Sequence, residues 1–502
     1  MAFSQSSISP YSGHVKTNTK RLVDALSAWS ARPGVLHERL TAAIQDAVRH
    51  GSIYPGMRLP SERHLARMLG VSRTTVVASY NDLRAGGWLE SRVGSGTWLA
   101  KRKASQVRAS IHAAMVARSP VFNMLQASES GAIDFATTTP YPLRELIEPV
   151  LPSITGHAAA LLDERAYMSF GLQTLCETIA RYFTANGTPT TAEEVVVTTG
   201  GQQAISLACA LLLQPGDYAL VESPSFYGAL EAFRVAGARL AALPVEKDHV
   251  SPRVLEQRVS TVSPRLIYLT PTGQNPTGAV MPDPVKAEIA RGSLEHGVTI
   301  VEDEVLADLF FAGQRPRSIA SFVPNANVLT IGSLSKMFWP SLRVGWIRGP
   351  RPLIGRLARL KTAHDLGSAL LPQSLATELL ELMPEARRLR RKEFVRKRDL
   401  AGRLLRELLP GASFTLPQAG LCLWITLPDA DTQLLAQTAL RHGLVLSHGN
   451  LFSVDESHGA CLRLPFVLED EALEQGIRIL ARACDELSSS AVSSHEPVSA
   501  LT

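Results

Sequence analysis

Apolar positions run along this chain in two rhythms. Between residues 36 and 48 they fall at Leu36, Leu40, Ala43, Ile44, Ala47 and Val48, the spacing of a helix with one buried face. His50-Gly51 closes that helix, and Ile53-Tyr54-Pro55-Gly56 reads as a turn. Ser61 stands where it can cap a short helix through Leu69, with Leu65, Ala66 and Leu69 inward. Gly70-Val71 is a tight break. Ser72 is a second cap, and Val76, Tyr80 and Leu83 form the core stripe of a helix running to about Ala85. Beyond it, Trp88–Arg92 and Thr97–Ala100 flank Val93-Gly94-Ser95-Gly96, which predicts a small hairpin. From about Ile133 short β-rich runs alternate with longer helical stretches. The predicted strands are Val195–Thr198, Tyr218–Glu222, Leu266–Thr270, Val298–Glu302, Val328–Ile331 and Val344–Arg348. That alternation predicts an α/β architecture.

At 502 residues two or three domains are expected. We divide the chain into an N-terminal extension (1–30), a small helical domain with a hairpin (31–100), a linker (101–130), a large α/β domain (131–487) and a disordered, Ser-rich tail (488–502). The linker begins with Lys101, Arg102 and Lys103, lacks a long clean period and contains Ser119-Pro120 as a breaker. Apolar stretches such as Ala204–Leu213 are too short to span a bilayer. The first residues carry no apolar export signal. The five cysteines are scattered, with neither metal spacing nor a disulfide framework, which predicts no metal and a cytoplasmic location. Charge changes the picture further. Residues 1–108 hold 16 Lys and Arg against 6 Asp and Glu, a surplus of 10 in a chain whose net charge is +5. The basic end is the footprint expected of a partner with a phosphate backbone.

Three motifs occur in order in the basic part: G-x-R-L-P-S-E-R (56–63), L-G-V-S-R-T-T-V (69–76) and G-S-G-T (94–97). Over about residues 34–100 the segment resembles the winged helix-turn-helix of GntR-type regulators, an α+β fold that binds double-stranded DNA. The resemblance implies that Arg63 and Arg73 contact DNA, with Ser72, Thr74 and Thr75 at the start of the recognition helix and Gly94 bringing the wing to the minor groove. The chemistry agrees. Arginine offers a fork to phosphate or a guanine edge, and hydroxyls with helix N-terminal amides bind phosphates.

Seven elements follow one another in the larger part: TTGGQQA (198–204), ESPSFYG (222–228), PTGQNPTG (271–278), VEDE (301–304), SLSK (333–336), LRVGW (342–346) and CLRLPF (461–466). Together they supply a phosphate turn, an aromatic, an amide, a carboxylate, an imine-forming lysine and two arginines. That is the set a pyridoxal 5'-phosphate site requires. Residues 131–485 resemble fold-type I aminotransferases, and the two parts together resemble MocR-type regulators, a GntR subgroup. The resemblance implies that Lys336 forms the internal aldimine, Asp303 partners the pyridine nitrogen and Asn275 donates to the phenolic oxygen. Gly200, Gly201, Gln202, Ser333, Ser335 and Arg343 would hold the phosphate. Phe226 would stack on the ring, with Tyr227 as the alternative. Tyr167 would reach the phosphate of a partner subunit in a homodimer with exchanged heads. Arg463 would grip a ligand carboxylate through a bidentate pair.

The sequence also departs from that family. Leu306 stands where a tyrosine commonly follows the pyridine aspartate. Ala419-Gly420 replaces a glycine pair, Ser169-Phe170 an acidic-proline pair, and Cys176 a common arginine. The leading expectation is a regulator that senses an amine or amino-acid-like effector through an aldimine at Lys336. The alternatives are an active aminotransferase carrying a DNA-binding head, and a DNA-binding scaffold with a vestigial site.

Overall fold

The computed structural model describes residues 22, 26, 29, 35–49, 53, 56–92, 96–100, 131–163, 167–246, 248–324, 326–428 and 430–493. They fall in two units, residues 1–118 and 119–502. The expected linker, Gly94 and most of the N-terminal extension lie outside the described residues.

In the first unit, α1 spans Leu36–Arg49. Leu40, Ala43, Ile44 and Ala47 are buried, whereas Leu36, expected on the buried face, is exposed. Helix α2, Glu62–Leu69, is capped by Ser61, whose hydroxyl accepts from the His64 amide, and ends at Gly70 with φ 66°. That left-handed turn has no steric cost for glycine. Helix α3, Arg73–Ala85, begins at Ser72, whose hydroxyl accepts from the Thr75 amide. Val76, Tyr80 and Leu83 are fully buried. Strand β1, Arg58–Leu59, pairs with β3, Gly96–Leu99, which pairs in turn with β2, Leu89–Arg92. The hairpin strands lie one residue from their predicted bounds. Two residues are too few to show an alternation, so β1 carried no sequence signal.

The second unit contains an eight-stranded and a five-stranded sheet. Strand β4 is Ile133–Phe135, β5 Val195–Thr198, β6 Tyr218–Ser223, β7 Arg239–Glu246, β8 His249–Val250, β9 Leu266–Leu269, β10 Thr299–Asp303, β11 Val328–Ser333 and β12 Gly345–Arg348. Strands β13 to β16 are Ser413–Phe414, Cys422–Thr426, Leu444–His448 and Cys461–Pro465. The large sheet runs β5-β12-β11-β10-β9-β6-β7-β8. Its centre is parallel, and β12 is antiparallel to both neighbours. Neighbouring residues of one strand enter opposite cores. Val221, Tyr268, Val301 and Leu329 pack on one side, and Leu220, Ile267, Ile300 and Val328 on the other. A sheet covered on both faces explains why its strands read as continuous apolar runs. The small sheet, β13-β14-β16-β15-β4, packs into a third core with Phe135, Leu423 and Leu464.

One expectation is corrected at the C-terminus. The last helix, Asp470–Ser493, continues past Ser488, where the disordered tail was expected to begin. The Ser488 hydroxyl donates back to the Cys484 carbonyl within the helix, and extending an existing helix costs far less than nucleating one.

Candidate functional site

Parallel strands deliver their chemistry where they end. Residues from the ends of β9, β10 and β11, with Thr137–Thr139 after β4, line a cavity of about 280 Å³. Gly201, Gln202, Phe226, Tyr227, Asn275, Asp303, Ser333, Ser335, Lys336 and Arg343 all face it, so ten of the expected site residues meet in one place.

The Lys336 ammonium donates to the Thr138 carbonyl at 2.8 Å. Desolvation, then the nearby Arg463 and Arg343 charges, push its pKa down to about 8. Roughly a tenth of this amine is therefore unprotonated at pH 7, far more than for an ordinary lysine, and that is the form that attacks carbonyls. Across the cavity Asp303 is buried. Its Oδ2 accepts from the Tyr268 phenol at 2.6 Å and its Oδ1 from the Val305 amide at 3.0 Å. Burial raises its pKa, opposed by those two hydrogen bonds.

At the other end, Gly201–Leu212 is a helix preceded by Gly200 at φ 114°. A Cβ on Gly200 would lie 2.9 Å from an Arg343 guanidinium nitrogen, and one on Gly345 would lie 2.8 Å from the Gly200 Cα. The turn, the arginine and β12 therefore interlock. The N-terminus of that helix, Arg343 and the Ser333–Ser335 hydroxyl pair, 3.1 Å apart, come together at this end of the cavity, a grouping whose amides, guanidinium and hydroxyls could hold an anion. Gln202 donates its amide to the Gly228 carbonyl at 2.8 Å.

Asn275 accepts from Arg463 through Oδ1 at 3.3 Å, which leaves its NH₂ as the donor end. Arg463 differs from expectation. It is fully buried, is absent from the cavity wall, and also donates to the Ala136 carbonyl. Its guanidinium sits over Tyr227 at 5.2 Å and Phe452 at 4.8 Å. Its Nε has no hydrogen-bond partner among the described residues. The fork that should grip a carboxylate is engaged inside the protein, and a backbone carbonyl holding it leaves no trace in sequence. Tyr227 is tied to Arg463, whereas Phe226, 5.1 Å from it, is not. Tyr167 is 78% exposed and away from the cavity wall. Leu306 lines the cavity beside Val305.

In the first unit Arg63, Ser72, Arg73 and Thr74 are exposed and Thr75 is half-buried. The Ser72 hydroxyl lies 2.7 Å from that of Thr74 and 2.8 Å from that of Thr75, so the cap is shared. Glu62 was not singled out from sequence. It lies 3.7 Å from Arg73 and 3.3 Å from Arg84, holding the two ends of α3 together. Sequence reading also passed over Thr138, which acts through its carbonyl, and Tyr268, hidden in an apolar strand. A phenol in a fully buried strand needs a partner for its hydroxyl, and that was the available signal. Among the described residues no group of three or more His, Cys, Asp or Glu side chains is placed to hold a metal ion, and no helix is long and apolar enough to cross a membrane.

A buried lysine with a depressed pKa, a buried carboxylate and an arginine beside a helix N-terminus, gathered at the ends of parallel strands, make an aminotransferase-like arrangement. Residues 144–480 match the family model for aminotransferase class I and II, and residues 36–99 match that for bacterial regulatory proteins of the gntR family. The chain belongs to the aminotransferase class I and II family and carries a gntR-family helix-turn-helix ahead of it. It is 30% identical over 477 residues to the probable rhizopine catabolism regulatory protein MocR of Rhizobium meliloti, covering 91% of this chain and 95% of that one. It is 31% identical over 310 residues to 2-aminoadipate transaminase of Thermus thermophilus, covering 60% of this chain and 78% of that one. The solved structure of LysN, the alpha-aminoadipate aminotransferase of Thermus thermophilus complexed with N-(5'-phosphopyridoxyl)-L-leucine, matches with a TM-score of 0.68 at 28% identity. That match covers 76% of this chain and 97% of the other. The chain is a DNA-binding regulator with a fold-type I aminotransferase-like domain, and that fold implies a pyridoxal phosphate cofactor.

Proposed function

We propose that this regulator holds pyridoxal 5'-phosphate at Lys336 and senses an amine or amino-acid-like effector there. One observation carries the reading: an amine depressed to about 8 shares a cavity with the buried carboxylate of Asp303. When bound, the cofactor supplies an aldehyde that condenses with amines and a ring that accepts electrons. The residues present fit it. Gly200, Gly201, Gln202, Ser333, Ser335 and Arg343 form an anion cradle for the phosphate. Asp303 would partner the pyridine nitrogen, Asn275 would offer its NH₂ to the phenolic oxygen, and Phe226 would stack on the ring. Arg463 takes an effector carboxylate by exchanging the Ala136 carbonyl for it.

The working unit is a homodimer in the cytoplasm. Tyr167 serves the partner subunit's phosphate, and exposed Leu162, Phe170, Leu366 and Leu371 supply apolar surface for the pairing. Effector binding shifts the affinity for double-stranded DNA by about 5- to 150-fold, the usual range of coupling between sites.

The competing reading is an active aminotransferase with a DNA-binding head, favoured by the assembled Lys336, Asp303 and Asn275. Leu306 opposes it, because leucine cannot donate a hydrogen bond to the cofactor oxygen during proton transfers. We expect amines or amino acids to change both the visible spectrum and DNA affinity. Turnover should fall far below the roughly 1–1,000 per second of ordinary enzymes. Rapid transamination with a common amino acid and unaltered DNA affinity would establish the enzyme instead.

The DNA face has its own test. Arg63→Ala and Arg73→Ala should each cost about 1–3 kcal/mol on the cognate site if the arginine reads a base. A phosphate-only contact should weaken all sequences evenly and lower the salt slope by about one. Because Arg73 is tethered to Glu62, we expect Glu62→Gln to reduce discrimination between sequences. Filter binding at two salt concentrations separates these outcomes.

A further inference from the structure

Tyr268 belongs to no part of the site described so far except as a neighbour of Asp303. It sits in β9 with its side chain fully buried. Tyr268 pairs in register with Val301 of β10, and Asp303 lies two residues further along β10, on the same face of the sheet. The phenol spans that diagonal to reach Oδ2 at 2.6 Å. Phe233 packs edge-on against the ring, with centroids 5.5 Å apart. The geometry points to Tyr268 as the positioning residue of this site: its hydroxyl and the Val305 amide hold one carboxylate oxygen each, so Asp303 can neither rotate nor withdraw from the cavity.

The surroundings make that clamp necessary. Glu222, from the neighbouring β6, is fully buried and accepts from the Thr270 amide and the Gln274 side chain. Glu304 follows Asp303 directly, and Lys336 and Arg343 are the cations on the same cavity wall. Burial and Glu304 both favour a protonated Asp303, and Tyr268 is the largest influence in the other direction. Burial and the Asp303 charge keep the Tyr268 hydroxyl well above the usual phenol range, so it remains a donor at every working pH. Burial pushes Glu222 up to about 7. Two carboxyl groups thus share one dry neighbourhood, and burial pushes both up. The Tyr268 phenol donates to Asp303, and so favours the ionised form of that acid.

The test begins with the cofactor-free full-length protein and does not depend on the cofactor reading. Tyr268→Phe removes one oxygen and keeps the ring against Phe233. A donor to an ionised acid stabilises only while the acid is ionised. The variant's loss should therefore be large at pH 8, roughly a tenfold shift in the unfolding equilibrium, and smaller at pH 5. A loss equal at both pH values would reduce Tyr268 to a packing residue. In an Asp303→Asn background the same substitution should have little effect; full additivity would overturn the clamp. A second arm rests on the proposed cofactor. With pyridoxal phosphate added, Tyr268→Phe should retain it about tenfold more weakly, with a displaced pH midpoint of the visible band. If the wild type takes up no pyridoxal phosphate, the cofactor reading fails while the first arm still decides the role of Tyr268. If the wild type binds it and the variant matches in both arms, only the inference fails.

Discussion

Lys336→Ala should leave a folded protein that forms no covalent link with pyridoxal phosphate. The expected effect is complete loss, because Lys336 is the one lysine among the described residues that lines the cavity. Little else should change, since its structural hydrogen bond is a single one to the Thr138 carbonyl. Borohydride reduction followed by peptide mass analysis reads the link directly. Wild type should carry the reduced adduct on the peptide containing Lys336, and the variant none. An adduct persisting in the variant would mean that another amine is used. Noncovalent retention through the phosphate cradle is compatible with the proposal, so affinity is the wrong measurement here. The pH dependence has a definite sign. An amine depressed to about 8 is mostly protonated below that value and mostly neutral above it. Covalent capture should therefore accelerate between pH 7 and 9 and then level off.

The largest loss of stability is expected from Glu304→Ala. Glu304 and Arg315 form an ion pair at 2.6 Å with both side chains buried. Asp308 joins at 3.3 Å from Arg315, and Arg387 pairs with Asp308 in turn. Tyr182 donates its hydroxyl to Asp308, and its ring lies beneath both guanidinium groups. Removing Glu304 strands most of the Arg315 charge in a dry interior, which typically costs about 3–5 kcal/mol. Asp308 offsets part of that, so we expect about 3 kcal/mol by urea unfolding. The exposed pair Arg388 and Glu385 is the control. Arg388→Ala should be indistinguishable from wild type, because solvent already screens that pair. Equal stability for Glu304→Ala would show that the cluster does not act as a buried network.

Groups whose identity is their chemistry were the legible ones. Lys336, Asp303 and Asn275 stood out because each follows a strand within a recognisable run, and the structure gathers them around one cavity. The helices of the first unit were legible from their serine caps and apolar stripes, and the large sheet from runs such as Val195–Thr198, buried at every position. The rest depended on groups that sequence does not name. Backbone carbonyls of Ala136 and Thr138 hold Arg463 and Lys336, and any residue supplies a carbonyl. Arg463 was legible as an arginine but its inward fork was not, because that depends on where β4 ends. Tyr268 looked like one more core residue of β9, since period-two burial says nothing about where a hydroxyl reaches.

Gly200 and Gly345 have a consequence for how this lineage can change. A side chain on Gly345 would run into the Gly200 backbone, and Gly200 itself, with Arg343 beside it, holds φ 114°, a conformation that residues with a side chain rarely adopt. The constraint is steric and would act whether or not anything is ever bound there. Selection for folding alone would preserve both glycines in a descendant that had abandoned its ligand. If relatives keep both glycines, that would record the shape of the sheet, whereas replacement of Lys336 or Asp303, which the fold itself would survive, would mark a branch where the chemistry was given up.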